Sequence, residues 1–308
     1  MDYRFDGLNI YNANSINNCS YTLGSGSGLD TSLTDLSGGD VFRAWFFQSL
    51  ATTNGVRDWA PFDHTLSVAA AHGVRVIVTL GNQWGDCDST DGYKGLAWYQ
   101  GGYKTQVAPG YLVPYRQWVQ DVVTRYANNP NVLMFQMLNE PEAKDSGSGS
   151  CNESGAATAL RAFTDDVGGL IHSLSPSNLT SLGSIGSGQC GMSGADYQFV
   201  NASAGTDLCE YHDYGSPSTP MPGDAFNGLQ VRLNQCSTLN KPLFIGETGI
   251  PYSVGQTARA SDFDAKFSAQ FTAGVVGELP WDWDLSGSGG DSYTIGPGDP
   301  TLALLTKY

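Results

Sequence analysis

The sequence predicts a (β/α)8 barrel formed as one domain over residues 1–308. Three observations predict it. Eight short apolar runs alternate with amphipathic helical stretches, which implies a parallel sheet with right-handed crossovers. The clearest run, Val74-Arg75-Val76-Ile77-Val78-Thr79-Leu80, is apolar almost without a break, as strands buried on both faces are. The first run leads into Asn9-Ile10-Tyr11-Asn12-Ala13-Asn14, without the glycine-rich phosphate loop that an open doubly wound sheet would show there. At this length, closure into a barrel is the natural arrangement.

The strand-like runs fall at Phe5–Tyr11, Val41–Phe47, Val74–Leu80, Val132–Leu138, Leu179–Leu182, Leu208–His212, Leu243–Gly246 and Val275–Trp281. The fifth is the least marked. Helical stripes fill the gaps: Tyr115, Trp118, Val119, Val122 and Tyr126; Leu160, Phe163, Val167, Leu170, Ile171 and Leu174; Phe226, Leu229, Leu233 and Cys236; Phe263, Phe267, Phe271 and Val275. Spacings of three and four put each set on one helix face, suited to covering a sheet.

Composition narrows the partners. The formal charge is −15 and Lys plus Arg number only 15, so a basic surface for nucleic acid or an anionic membrane is not expected. No apolar stretch is long enough to span a bilayer. A neutral ligand such as an uncharged glycan fits the charge better. Low charge with abundant Gly, Ser, Thr and Asn suits a secreted, extracellular protein. The start, Met1-Asp2-Tyr3-Arg4, has no apolar leader, so secretion implies that a leader has been cut away and Met1 added. Asn18, Asn152, Asn178 and Asn201 fit the N-x-Ser/Thr glycosylation pattern. A monomer is expected.

The six cysteines, Cys19, Cys87, Cys151, Cys190, Cys209 and Cys236, contain no CxxC pair, which disfavours structural zinc and allows up to three disulfides. Cys236 lies on an apolar helix face and reads equally as a core thiol.

In such barrels the active site lies where the strands end. Polar and aromatic residues gather there: Trp45 on the second run, Gly81-Asn82-Gln83-Trp84 after the third, Asn139-Glu140-Pro141 after the fourth, Glu210-Tyr211-His212-Asp213-Tyr214 at the sixth, Glu247 at the seventh and Trp281-Asp282-Trp283 at the eighth. Glu140 and Glu247 come from opposite sides of the ring. Across its mouth their carboxyls can approach to about 5–5.5 Å, the gap of a retaining glycosidase. One must be protonated and the other ionised. Arg43 stands inside an apolar strand, where a guanidinium needs a partner. Paired with Glu247 it would hold that acid ionised, and Glu140 would then keep its proton; pairing with some other acid is the alternative. The chain has four His and no HxH or HExxH, and its Gly-Ser stretches do not form a nucleophile elbow, so neither a metal nor a serine nucleophile is expected.

These motifs resemble glycoside hydrolase family 5 of the clan A retaining β-glycanases. Met137-Leu138-Asn139-Glu140-Pro141 is similar to the family's fourth-strand signature, and Phe244-Ile245-Gly246-Glu247-Thr248-Gly249 to its nucleophile strand. Phe42-Arg43-Ala44-Trp45 and Asn82-Gln83-Trp84 resemble segments of its endo-β-1,4-mannanases. The resemblance implies Glu140 as acid/base, Glu247 as nucleophile, Asn139 on the sugar 2-hydroxyl, Tyr214 supporting the nucleophile, His212 lining the site and Trp281 as stacking platform, with Trp283 the competing choice. It implies no cofactor and a β-linked glycan substrate, first a mannan and next a β-glucan. The long third loop, with Trp98, Tyr99 and Tyr103, and the Lys144–Cys151 loop are expected to build sugar subsites. The rival class is a non-catalytic carbohydrate-binding barrel, which the presence of both acids and Arg43 disfavours.

Overall fold

The apolar runs form one ring of parallel strands: β1 (Phe5–Asn9), β2 (Val41–Trp45), β3 (Arg75–Thr79), β4 (Val132–Gln136), β5 (Leu179–Ser181), β6 (Cys209–Asp213), β7 (Leu243–Thr248) and β8 (Gly277–Pro280). The computed structural model describes residues 4–14, 28–36, 40–88, 92–285, 287 and 292–308. Asn18 and Cys19 lie outside them. Sequential neighbours pair in order from β1 to β5 and from β6 to β8, and β8 pairs back onto β1. A single bridge, Ser181 to Leu208, spans the remaining seam between β5 and β6. The fifth strand is weak in sequence because it is only three residues long and least bonded.

Helices α1 (Gly28–Asp35), α2 (Ala60–His72), α3 (Tyr115–Tyr126), α4 (Glu153–Leu174), α5 (Ala195–Asn201), α6 (Leu229–Thr238) and α7 (Gln256–Ala273) fill the connections. Among the described residues no helix is long and apolar enough to cross a membrane. Two expected stripes are shorter than the spacing suggests. Gly274 adopts φ +109° and ends α7, so Val275 belongs to the next segment. Phe226 is 62% exposed and precedes α6, because the Asp224 carboxylate accepts the backbone N–H of Phe226 and Asn227 in a tight turn.

The inward side chains form two layers. The lower holds Phe5, Val41, Ile77, Leu133, Met134, Leu208, Phe244 and Leu279, an apolar cluster separate from the one between strands and helices. Further along these strands the inward positions turn polar, two residues on at Arg43, Thr79, Gln136 and Glu210 and four residues beyond Phe5 at Asn9, and all are buried. The barrel thus has an apolar floor and a polar storey beneath its mouth.

Disulfides join Cys151 to Cys190 and Cys209 to Cys236, so Cys236 is no free thiol. Cys87 is disulfide-bonded too. The first two close loops of 39 and 27 residues, worth about 3–4 kcal/mol each if chain entropy dominates. Of the glycosylation patterns, Asn152 is exposed, whereas the Asn201 side chain is buried against the Tyr197 carbonyl.

Candidate active site

The site grows from Arg43. Its guanidinium is fully buried and every nitrogen is satisfied: Nε donates to Gln136 Oε1 at 2.8 Å, Nη1 to Asn9 Oδ1 at 3.0 Å and Glu247 Oε1 at 2.7 Å, and Nη2 to Asn139 Oδ1 at 2.7 Å. Trp45 lies over it, with its ring centroid 4.5 Å from the guanidinium carbon. One cation therefore holds four side chains, from β1, β7 and β4 with its end, in fixed orientations. The expected partner, Glu247, is the one it has.

Glu247 Oε2 accepts a hydrogen bond from the Tyr214 hydroxyl at 2.7 Å. Both its oxygens thus have a protein donor, which fixes the carboxylate plane. Glu140 faces it. Its Oε1 pairs with His212 Nδ1 at 2.8 Å and its Oε2 accepts the Trp84 indole N–H at 2.7 Å. Glu140 holds φ +53°, a left-handed backbone conformation that costs a non-glycine residue about 1–2 kcal/mol. Its N–H bonds to Gly183 O and its carbonyl accepts Gln189 Nε2, which together hold that conformation. Oxygen or nitrogen atoms of Glu140, His212 and Glu247 all lie within 4.8 Å of one another. Three such groups could hold a cation, but each atom already has a protein partner. In the other such group, Cys151, Glu153 and Cys190, the two sulfurs are joined to each other, leaving no thiolate to ligate.

Burial pushes both carboxyls towards the protonated form. For Glu140 the hydrogen bond and charge of His212, then Trp84 and Arg43, outweigh it, and the group sits below the usual range. For Glu247 burial prevails over His212 and Arg43, aided by the Glu140 charge, and the group sits above it. This reverses the order expected from sequence. That expectation considered Arg43 alone and omitted His212, which stands 2.8 Å from Glu140 but 3.6 Å from Glu247. Burial opposes charge on His212, but Glu247, Glu140 and Glu210 raise it to about 10, which favours the imidazolium.

The cleft above these groups has a volume of about 640 Å³ and is lined by Tyr11, Trp45, Asn82, Trp84, Asp86, Asn139, Tyr214, Trp281 and Tyr293 as well as the two acids. Trp281 stacks on Tyr11 at 5.1 Å and meets Trp45 at 5.6 Å, making an aromatic wall. Trp283 is fully buried and faces the core instead. Asn139 Nδ2 donates to Asn82 Oδ1 at 3.0 Å, which ties the ends of β3 and β4 together. All ten residues singled out in the sequence, Arg43, Trp45, Asn82, Trp84, Asn139, Glu140, His212, Tyr214, Glu247 and Trp281, therefore meet at one mouth.

The start of the long third loop reaches the cleft through Asp86 and Cys87, but its aromatics do not join them. Tyr99 and Tyr103 are buried and pack with Trp98 against Phe163, in the layer between α3 and α4. Trp98 also borders a separate cavity of about 300 Å³ with Tyr93 and Tyr111. The Lys144–Cys151 loop contributes no cleft residue. Aromatic content alone misled there, because the third loop has its own core to fill. Sequence reading gave no role to Tyr11, an aromatic just beyond the first strand, or to Glu210, an acid inside an apolar strand as conspicuous as Arg43. Tyr293 comes from the final loop and had no comparable signal.

An aromatic-walled cleft with two facing buried acids at the strand ends defines a barrel of the glycoside-hydrolase class. The family model described as Cellulase (glycosyl hydrolase family 5) matches residues 37–285, and the chain belongs to that family. Mannan endo-1,4-beta-mannosidase A of Podospora anserina is 23% identical over 87% of this chain and 76% of that protein. Probable mannan endo-1,4-beta-mannosidase F of Emericella nidulans is 24% identical over 96% of this chain and 72% of that protein. The chain spans only 57% of a probable mannan endo-1,4-beta-mannosidase A-2 of Aspergillus terreus. Among solved structures, the hyperthermostable endo-1,4-beta-D-mannanase of Thermotoga petrophila superposes with a TM-score of 0.74, at 18% identity over 99% of both chains. The endoglucanase Cel5A of Pseudomonas stutzeri, in complex with cellobiose, gives 0.65 at 16% identity over 100% of this chain and 95% of that one. These last two likenesses carry the fold.

Proposed function

We propose that the chain is an extracellular endo-β-1,4-mannanase that retains anomeric configuration, with Glu247 as nucleophile and Glu140 as acid/base. The observation that carries this is the facing pair of carboxyls, each held by its own set of donors: Arg43 and Tyr214 on Glu247, His212 and Trp84 on Glu140. Arg43 and Tyr214 favour the ionised form of Glu247 that attacks the anomeric carbon, against the burial that raises its proton affinity. A sugar ring entering the cleft dries the Glu140 carboxyl and raises its proton affinity. Glu140 then gives its proton to the leaving oxygen as the glycosidic bond breaks and the Glu247 ester forms. In the second half Glu140 takes a proton from water, the hydroxide attacks the same carbon, and Glu247 is released as carboxylate.

Trp281 with Tyr11 and Trp45 offers an apolar wall for a sugar face. The charge of −15 suits a neutral polymer. The mannan assignment is supported by the names of the relatives at 23–24% identity. A β-1,4-glucanase is the second reading, favoured by the cellulase description of the family model. The disulfides favour an oxidising compartment. Initial rates on dyed mannan, cellulose derivatives and aryl glycosides separate the two polysaccharide readings. For the mechanism, Glu247→Gly should lose hydrolysis and regain turnover with azide, releasing the α-glycosyl azide. A β-azide product would remove Glu247 from the nucleophile role. Wild-type binding without turnover on every glycan would leave a carbohydrate-binding barrel.

A further inference from the structure

Glu210 sits in the polar storey beneath the proposed acid/base and has no part in the scheme above. It is fully buried on β6, two residues before His212. Its Oε1 faces His212 Nε2 at 3.1 Å, and the other ring nitrogen, Nδ1, faces Glu140 at 2.8 Å. The three groups form a line, carboxyl–imidazole–carboxyl, from the barrel interior to the cleft. Gln136 Nε2 donates to both Glu210 oxygens at 2.7 and 2.8 Å, and Ser181 Oγ to Oε2 at 3.0 Å. Gln136 is itself oriented by Arg43 and Thr79. Space is reserved for the pair. A Cβ on Gly246, the residue before Glu247, would stand 2.0 Å from Glu210 Oε1 and 3.0 Å from His212 Nε2.

We infer that Glu210 is a positioning residue for the reaction: it holds His212 as a cationic donor to Glu140 and so sets the pH range over which Glu140 exchanges its proton. The inference rests on the function proposed above. With both flanking carboxyls ionised, the imidazole donates at each nitrogen and is doubly protonated. The charged groups around it are Glu210 on its own strand, Glu140 beyond β4 and Glu247 on β7, with Arg43 on β2 reaching it through Glu247. Tyr214, whose hydroxyl is kept protonated by burial and by Glu247, completes the set. Removing the Glu210 charge leaves a neutral ring. Glu140 and Glu247 then lose a nearby cation, and both hold their protons to higher pH.

The test uses Glu210→Gln, which keeps shape and removes charge. With only four His in the chain, the imidazole nitrogens can be followed by ¹⁵N NMR. In wild type, the His212 ring should stay doubly protonated through neutral pH. In the variant its titration should fall by at least about one pH unit, while both limbs of the kcat/KM pH profile on the best glycan move up by about one unit. Glu210→Asp, which keeps the charge, should restore most of both. A variant with lower activity but an unmoved profile and an unmoved ring titration would make Glu210 merely structural and overturn the inference. So would a wild-type His212 that is neutral at pH 7, which decides the matter even if Glu210→Gln does not fold. A wild type inert on every glycan would sink the proposed function and leave the ring titration readable.

Discussion

The lower and upper halves of the barrel interior are built from the same strands and solve opposite problems. On β2, Val41 points into the floor and Arg43 into the storey above; on β7, Phe244 and Glu247 divide in the same way. The floor excludes water and closes on itself without hydrogen bonds. The upper layer buries charge, and nearly every polar atom there is matched to a partner on another strand. Burial is comparable in both, so burial does not distinguish stability from chemistry here. The distinction is that the floor can be redesigned with other apolar groups of similar volume, whereas the storey above is a network in which each member fixes the next.

The comparison can be broken most sharply at Arg43. Arg43→Met should lower kcat by about a thousandfold or more, because Glu247 loses its cation and Asn139 its anchor. Residual activity within tenfold of wild type would mean the network is not needed. The floor should behave in reverse. Phe244→Ala should cost about 3–5 kcal/mol in unfolding while kcat on the folded fraction stays within about twofold. A kcat loss matching that of the Arg43 variant would show that the halves are not separable.

A smaller effect sharpens the boundary from outside. Asp6 follows the inward Phe5, faces the helix layer and is buried. Burial, then the charge of Asp40, raises it to about 7. Its folded value lies above its unfolded one, so the favourable protonated state is fully present below about pH 4 and is lost as pH rises through 7. Asp6→Asn should therefore raise stability at pH 8 by on the order of 2 kcal/mol and flatten the Tm profile between pH 4 and 8, without changing kcat. An unchanged profile would assign the wild-type slope to other groups. The smallest effect concerns strain at the mouth. Glu140→Gly should be more stable than Glu140→Ala by about 1 kcal/mol, since only glycine takes φ +53° freely. Equal Tm values for the two would show that the backbone relaxes.

Much of this was legible in sequence because strands buried on both faces make any charge conspicuous. Arg43 and the two acids stood out for that reason, and the eight runs gave the ring. What was hidden had two causes. Alternation assigns a residue to the inside or the outside but not to a height, so the polar storey joining Asn9, Gln136 and Glu210 could not be seen from single strands. The acidity order of Glu140 and Glu247 depends on a third group, His212, whose distances to each only coordinates supply. Loop aromatics gave the opposite error: Tyr99 and Tyr103 carry the composition of a sugar site and the burial of a core.

Asn9 lies near the start of the chain, yet its amide donates to carbonyls of Gly246, Leu279 and Pro280 while its oxygen holds Arg43. The first stave is thus clasped to the last two through the same side chain that orients the guanidinium. During synthesis the reactive constellation cannot assemble until residue 280 or so has been made and has docked, so a growing or C-terminally shortened polypeptide should stay silent, and competence should arrive in a single late step rather than build up gradually.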